Sequence, residues 1–305
     1  MKVVITGGTG FIGTALTSAL LERGDKVTLV TRAPVVAQQS WGGRIDARLW
    51  NGRDPGPWVM AVNGADAVIN LAGESVAGGR WSPARKLALI KSRIDSTRAV
   101  VKALEAATER PPVLVSASAV GYYGANPKGD CPESSAQGSD FLAALCGQWE
   151  REAAAADKLE VRVVMARIGV VLGKTGGALA KMLTPFKFGL GGPLGSGRQP
   201  FPWIHLDDAV GAILASIDDV KLAGPVNVVA PEPATNAKFT KALGRALHRP
   251  AFLPAPAFAL RLALGEMSTL LLDGQKAIPK RLLDAGYVFK HPSVEGALVS
   301  LLARP

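Results

Sequence analysis

Apolar residues fall along this chain in short runs that alternate with longer stretches of helical spacing. Lys2-Val-Val-Ile-Thr6 is an apolar strand that leads straight into a glycine-spaced turn and then into the helical pattern of residues 14–23. Residues 26–31 (Lys-Val-Thr-Leu-Val-Thr) form a β-branched strand and residues 65–71 another, with a short candidate at 47–50 between them. Residues 83–107 predict a long helix, with apolar side chains near helical spacing at Leu87, Ile90, Ile94, Val101 and Leu104. Pro111-Pro112 stops it ahead of the strand 113–118, because proline offers no N–H to a helix ladder. Residues 140–157 predict a further helix with Asp140 as its cap, and 161–168 a strand of the fully buried type. Such alternation implies a doubly wound α/β fold, a parallel sheet with helices on both faces.

Past Gly169 the texture changes. Gly173-Lys-Thr-Gly-Gly177 and Gly189-Leu-Gly-Gly-Pro-Leu-Gly-Ser-Gly197 predict a long loop region around a short helix, either one wall of a cleft or simply mobile chain. Residues 207–217 return to helix and 226–229 to strand. Pro231, Pro233, Pro250, Pro254 and Pro256 then punctuate a helical tail. The expected organisation is a nucleotide-binding domain over residues 1–230 and a small, mostly helical C-terminal lobe over 231–305.

A chain of 305 residues with 48% hydrophobic content can bury a sizeable core. With the first strand beginning at Lys2, no secretory signal is expected, and Arg261 and Glu266 interrupt the best candidate for a membrane span, residues 258–272. A cytoplasmic location follows as the expectation. Cys131 and Cys146 lack metal-ligand spacing and are expected to stay unbridged. The net charge of +10 is scattered among apolar and acidic residues without a dense basic block, so neither nucleic acid nor membrane is the expected partner. A small-molecule substrate is. An anionic cofactor would use part of the positive charge.

The turn after the first strand carries the clearest chemistry. Gly7 can take backbone angles that a side chain forbids, Gly10 lets the main chain approach a pyrophosphate, and Gly13 lets the helix pack on the strand. Phosphates would then meet unpaired N–H groups and the positive end of a helix dipole. At the end of the second strand, where an NAD site places a carboxylate for the ribose hydroxyls, this chain has Thr31-Arg32. A guanidinium grips a 2′-phosphate instead, which favours NADP; the competing account is a surface arginine at a sheet edge.

Together, Thr6-Gly-Gly-Thr-Gly-Phe-Ile-Gly13, Asn70-Leu-Ala-Gly73, Ser116-Ala-Ser-Ala-Val-Gly-Tyr-Tyr-Gly124 and Trp203-Ile-His-Leu-Asp-Asp208 resemble the extended short-chain dehydrogenase/reductases. Gly73-Glu-Ser, Arg80-Trp81, Lys91-Ser-Arg93, the run Gly195 to His205 and the tail Gly265-Glu, Gly274-Gln-Lys and Pro279 resemble its atypical "epimerase family" subgroup, which carries a C-terminal domain of unknown function. The resemblance implies a Rossmann core, NADP(H) as cofactor and a C-terminal lobe over the substrate side. It places Gly7, Gly10, Phe11, Ile12 and Gly13 at the pyrophosphate, Thr31 and Arg32 at the adenosine phosphate, and Leu71, Ala72 and Gly73 beside ribose and adenine. It also brings Arg93 and the stretch 167–171, with Val171, toward the cofactor. In an open parallel sheet ligands bind beyond the carboxyl ends of the strands, and these segments follow such ends.

The resemblance fails at the proton-transfer pair. Active members of the larger family use a Tyr-x-x-x-Lys pair with a serine that orients the substrate oxygen. Ser118 suits the serine, but Leu142 and Cys146 stand where Tyr and Lys would, and neither can shuttle a proton. Tyr122 is a candidate phenol, as is Tyr123, with no cation nearby in sequence and a wall aromatic as the alternative. His205 suits a structural hydrogen bond better than proton exchange, and Cys146 suits core better than nucleophile. His248 and His291 look isolated, and no metal site is expected. Glu74, Arg93, Arg167, Arg198 and Gln199 could grip a substrate or form ordinary ion pairs. The expected function is an NADP(H)-dependent oxidoreductase or epimerase-like enzyme on a small or nucleotide-linked substrate; the alternative is an NADP(H)-binding sensor that has lost its catalytic pair.

Overall fold

The computed structural model describes residues 1–125 and 128–303. Seven strands form one parallel sheet: β1 (Lys2–Thr6), β2 (Lys26–Thr31), β3 (Asp46–Leu49), β4 (Ala67–Asn70), β5 (Val113–Ala119), β6 (Arg162–Ile168) and β7 (Gly224–Val228). Their spatial order is β7-β6-β5-β4-β1-β2-β3. The chain winds outward from β1 in one direction to β3 and then crosses back to β4, so a crevice opens at the carboxyl ends of β1 and β4, where doubly wound sheets bind ligands.

Both faces of the sheet are covered, which is why its strands read as unbroken apolar runs. On one face α1 (Phe11–Glu22) packs with α6 (Leu206–Asp218), setting Leu16, Leu20 and Ile213 against Ile5 and Val226, and the short α2 (Pro34–Ser40) packs on β2 and β3. On the other, α3 (Pro83–Ala106) and α4 (Phe141–Ala154) set Val100, Leu104 and Ala153 against Val4 and Leu114. Ser82 caps α3 through the Arg85 N–H, with Pro83 in the first turn where its missing donor costs nothing. Asp140 caps α4 by accepting from the Ala143 N–H, as its position ahead of the apolar run suggests.

The buried stripe of α3 differs from the apolar spacing in its sequence. Leu87 is about half exposed, while Arg93, Ser96 and Thr97 are buried. The reason is a polar cluster beneath the helix. Thr6 Oγ1 donates to Asn70 Oδ1 at 2.7 Å, and Asn70 Nδ2 donates to Thr97 Oγ1 at 2.9 Å and Ser116 Oγ at 3.3 Å. The Trp149 indole N–H also reaches Thr97 Oγ1, at 2.8 Å. Hydrogen bonding rather than apolar spacing therefore sets the rotation of α3, and the cluster ties β1, β4, β5, α3 and α4 at the mouth of the crevice.

The glycine-rich region is more ordered than a loop. Val170–Leu172 pairs in parallel with Trp203–His205, Pro200–Phe201 pairs antiparallel with Ala234–Thr235, and α5 (Gly177–Lys187) lies between. A Cβ at Gly173 would stand 2.6 Å from the Phe11 ring, so its glycine serves close packing. A second apolar core joins Leu172, Leu179 and Trp203 to Phe239 and Leu243 of α7 (Asn236–Leu247) and to Leu298, spanning residue 230. The tail is clasped by α6: buried Asp208 accepts the N–H groups of Lys290 at 2.7 Å and His291 at 2.9 Å. His291, isolated in sequence, is thereby stacked on His205, ring centroids 3.7 Å apart. His205 caps α6, its Nδ1 accepting the Asp207 N–H at 3.0 Å, and burial holds its pKa below the usual histidine value. With Asp207 these two histidines bring potential ligand atoms within 4.8 Å, a grouping the sequence conceals. No helix among the described residues is long and apolar enough to cross a membrane.

Removing the Asn70 amide leaves buried hydroxyls short of partners. Asn70→Ala should lower the unfolding free energy by about 2–3 kcal/mol in urea titrations; a loss near zero would mean that the cluster does not brace the sheet.

Candidate functional site

The crevice holds two adjoining cavities of about 540 and 650 Å³. Gly7, Gly10, Leu71, Gly73, Glu74 and Ser75 line both, so they form one cleft across the carboxyl edge of the sheet. The N-terminus of α1 points into its middle. Gly10 precedes the first turn and no side chain caps it, which leaves the N–H groups of that turn for a ligand. Gly7 lies at φ 72°, and a Cβ there would stand 2.6 Å from the Leu71 carbonyl. A Cβ on Gly10 would meet only the Gly7 oxygen, at 3.2 Å, so backbone and ligand can come close here.

Of the residues expected at the cofactor, all but Arg167 line this cleft. Phe11, Ile12, Gly13, Arg93 and Val171 line the first cavity, and Thr31, Arg32 and Ala72 the second. Arg32 is exposed and enters no ion pair among the described residues. The structure adds Arg53 and Lys91 to the same cavity. Arg53 had no signal in the sequence: it reaches the site through the turn after β3, where Asn51 Oδ1 accepts the N–H groups of Arg53 and Asp54, each at 2.9 Å. Arg93 has a bracing role. It is buried, donates to the carbonyls of Glu74 at 2.8 Å and Leu89 at 3.2 Å, and lies over the Trp149 ring, holding the segment after Gly73 against α3. Burial lowers its pKa below that of an ordinary arginine.

At the other end stands Ser118, 3% exposed at the end of β5. Its hydroxyl donates to Glu150 Oε1 at 2.6 Å. Glu150, on α4, takes both arms of Arg167, Nε and Nη2 each at 2.8 Å. Arg167 also donates to the Tyr123 hydroxyl at 3.0 Å and the Glu133 carbonyl at 3.1 Å, and Tyr123 in turn donates to Asn227 at 2.7 Å. Burial would loosen the Arg167 proton, but the bonds to Glu150 more than offset it and hold the pKa above the ordinary value. Burial pushes the Tyr123 phenol up to about 12 although Arg167 opposes it.

This network is hidden in the sequence, where Arg167 is one of several polar candidates and nothing singles out Glu150. It also changes the setting of Tyr122, which the sequence leaves without a cation: the Arg167 guanidinium carbon lies 3.5 Å from its ring centre. Tyr122 packs in a cluster with Val120, Tyr123 and Val229 rather than on the cavity wall. Leu142 and Cys146 do line the cavity. Burial, helped by Glu150, pushes the Cys146 thiol up to about 12, so it is an inert wall group. Gln199 lines the cavity with its amide N–H groups on the Leu194 and Leu271 carbonyls, whereas exposed Arg198 stands outside it.

The NAD dependent epimerase/dehydratase family model matches residues 3–229, and the domain of unknown function DUF1731 matches residues 255–301. The chloroplastic epimerase family protein SDR39U1 homolog of Arabidopsis thaliana is 42% identical over 304 residues, covering 99% of this chain and 87% of its own. The crystal structure of human epimerase family protein SDR39U1 (isoform 2) with NADPH superposes with a TM-score of 0.86 at 38% identity, over 99% of both chains. A nucleoside-diphosphate sugar epimerase from Corynebacterium glutamicum superposes with a TM-score of 0.80 at 30% identity, over 99% of this chain and 58% of that one. Glycine cradle, seven-stranded sheet and helical tail thus agree with these matches, and the chain belongs to the NAD dependent epimerase/dehydratase family and carries a DUF1731 tail.

Proposed function

We propose that this protein is an NADP(H)-dependent oxidoreductase or epimerase-like enzyme of atypical mechanism, acting on a small-molecule substrate. The observation that carries the reading is the single cleft that runs from the cations Arg32, Arg53 and Lys91, past the uncapped start of α1, to Ser118. The NADPH in the human relative's structure supports the same choice. When bound, the cofactor supplies or takes up hydride at its nicotinamide ring. The first-turn N–H groups of α1 hold the pyrophosphate, the three cations hold the 2′-phosphate, and Leu71, Ala72 and Gly73 wall the adenosine.

Ser118 orients the oxygen of the alcohol form of the substrate. Because its own proton is committed to Glu150, its free lone pairs accept a hydrogen bond from a substrate hydroxyl. The Arg167–Glu150 pair keeps that serine in one orientation. Leu142 and Cys146 exchange no protons, which is the observation behind the second reading, a cofactor sensor without turnover.

NADPH should raise the melting temperature well beyond NADH. Arg32→Ala should weaken NADPH by about 10–100-fold in calorimetric titration while sparing NADH, as expected for one charge-assisted phosphate contact. Equal responses to the two nucleotides would end the NADP assignment. For any substrate that turns over, Ser118→Ala should cut kcat about 100-fold or more with NADPH affinity unchanged; unchanged kcat would remove Ser118 from the chemistry, and binding without turnover over a broad carbonyl panel would favour the sensor.

A further inference from the structure

The substrate end of the cleft is short of positive charge. One arginine, Arg93, and three carboxylates, Glu74, Asp140 and Asp273, are the charged residues on the described wall of the first cavity. Arg93 is committed to the Glu74 and Leu89 carbonyls. Arg167, one layer behind, is consumed by Glu150, Tyr123 and the Glu133 carbonyl. Besides α1, the starts of α4, α5 and α7 adjoin this end; those of α4 and α7 are capped, and that of α5, at Gly176, has no side-chain cap but packs against the Phe11 ring. Asp140 closes α4, its two oxygens accepting the Ala143 and Ala125 N–H groups, and Thr235 closes α7 by accepting from Lys238. The rest of the wall is largely apolar, with Val76, Val120, Leu142, Leu145, Phe201 and Leu270.

A nucleoside diphosphate would bring two negative charges into this space with no unspent cation on its described wall to receive them, and the uncapped start of α5 lies off that wall, with Gly176 and Gly177 against the Phe11 ring. Glu74 is already paired with Arg85, and desolvating an unpaired phosphate in this space costs far more than the apolar wall returns. At the cofactor end, by contrast, three cations, Arg32, Arg53 and Lys91, face two carboxylates, Glu74 and Asp95, beside the uncapped start of α1. Resting on the oxidoreductase reading above, we infer that the substrate is an uncharged, mainly apolar carbonyl compound or its alcohol, and not a nucleotide-linked sugar. In the reducing direction hydride from NADPH forms the new C–H bond at the carbonyl carbon, the C=O π bond breaks, and the oxygen takes one proton from solvent; the products are an alcohol and NADP⁺.

The test uses the full chain loaded with NADPH, titrated separately with 4-phenyl-2-butanone, 2-octanone and UDP-glucose, and followed by calorimetry and by loss of NADPH absorbance. A neutral ketone should bind saturably with Kd below about 1 mM while UDP-glucose does not. Leu142→Asp, which adds a charge to the apolar wall, should weaken the ketone at least about tenfold, and Leu142→Met should not. NADPH titration of both variants checks that they fold. Saturable UDP-glucose binding, or binding of neither class by protein that still takes NADPH, would overturn the inference. Protein that fails to bind NADPH would instead bring down the oxidoreductase reading, and this one with it.

Discussion

The buried pair Glu150–Arg167 is the constraint around which the inner end of the site is built. Two charges withdrawn from water are stable only while each satisfies the other, and removing either partner leaves an uncompensated ion in the interior. Here the bidentate bond joins α4 to β6, and its outer valences reach Ser118 on β5 and Tyr123 beyond it. Through Tyr123 the network reaches Asn227 on β7, whose amide donates to the carbonyls of Cys131 and Ile278 and so brings the tail into register. One ion pair therefore sets both the orientation of the serine and the placement of the C-terminal segment that roofs the cleft.

A second principle governs the rest of the cleft, the treatment of helix starts. Those of α3, α4, α6 and α7 are closed by Ser82, Asp140, His205 and Thr235; the starts of α1 and α5, at Gly10 and Gly176, have no side-chain cap, and of these two only that of α1 lines the cleft. Unpaired N–H groups cost free energy unless a ligand takes them, so the open terminus marks where an anion belongs. The surplus of basic residues then separates by location: Arg32, Arg53 and Lys91 gather at one cavity, while Arg93 and Arg167 are spent on internal carbonyls and on Glu150. Net charge alone conceals this division.

Much of the fold was legible along the chain. The strand from Lys26 to Thr31 begins and ends where its β-branched run does, and Asp140 caps the helix it precedes. Those features are local, since an apolar run or a capping side chain acts within a few residues of itself. The burial of α3 was legible only in part: Ile94 and Leu104 are buried as their spacing suggests, but Leu87 is not, and Thr97 is drawn inward by its hydrogen bond to Asn70. Nor was the stacking of His291 on His205, which depends on Asp208 catching the tail.

By itself, then, the amino-acid order determined the alternating elements, the glycine cradle, the arginine after β2 and the lack of a Tyr-Lys pair, because each is a matter of residue type and short spacing. The tertiary structure alone decided which polar groups meet. Glu150 pairs with Arg167, Arg53 turns in beside Arg32, and Arg93 on the wall of the first cavity is spent on carbonyls, because these outcomes depend on side chains brought together from separate elements after the sheet and its helices have packed.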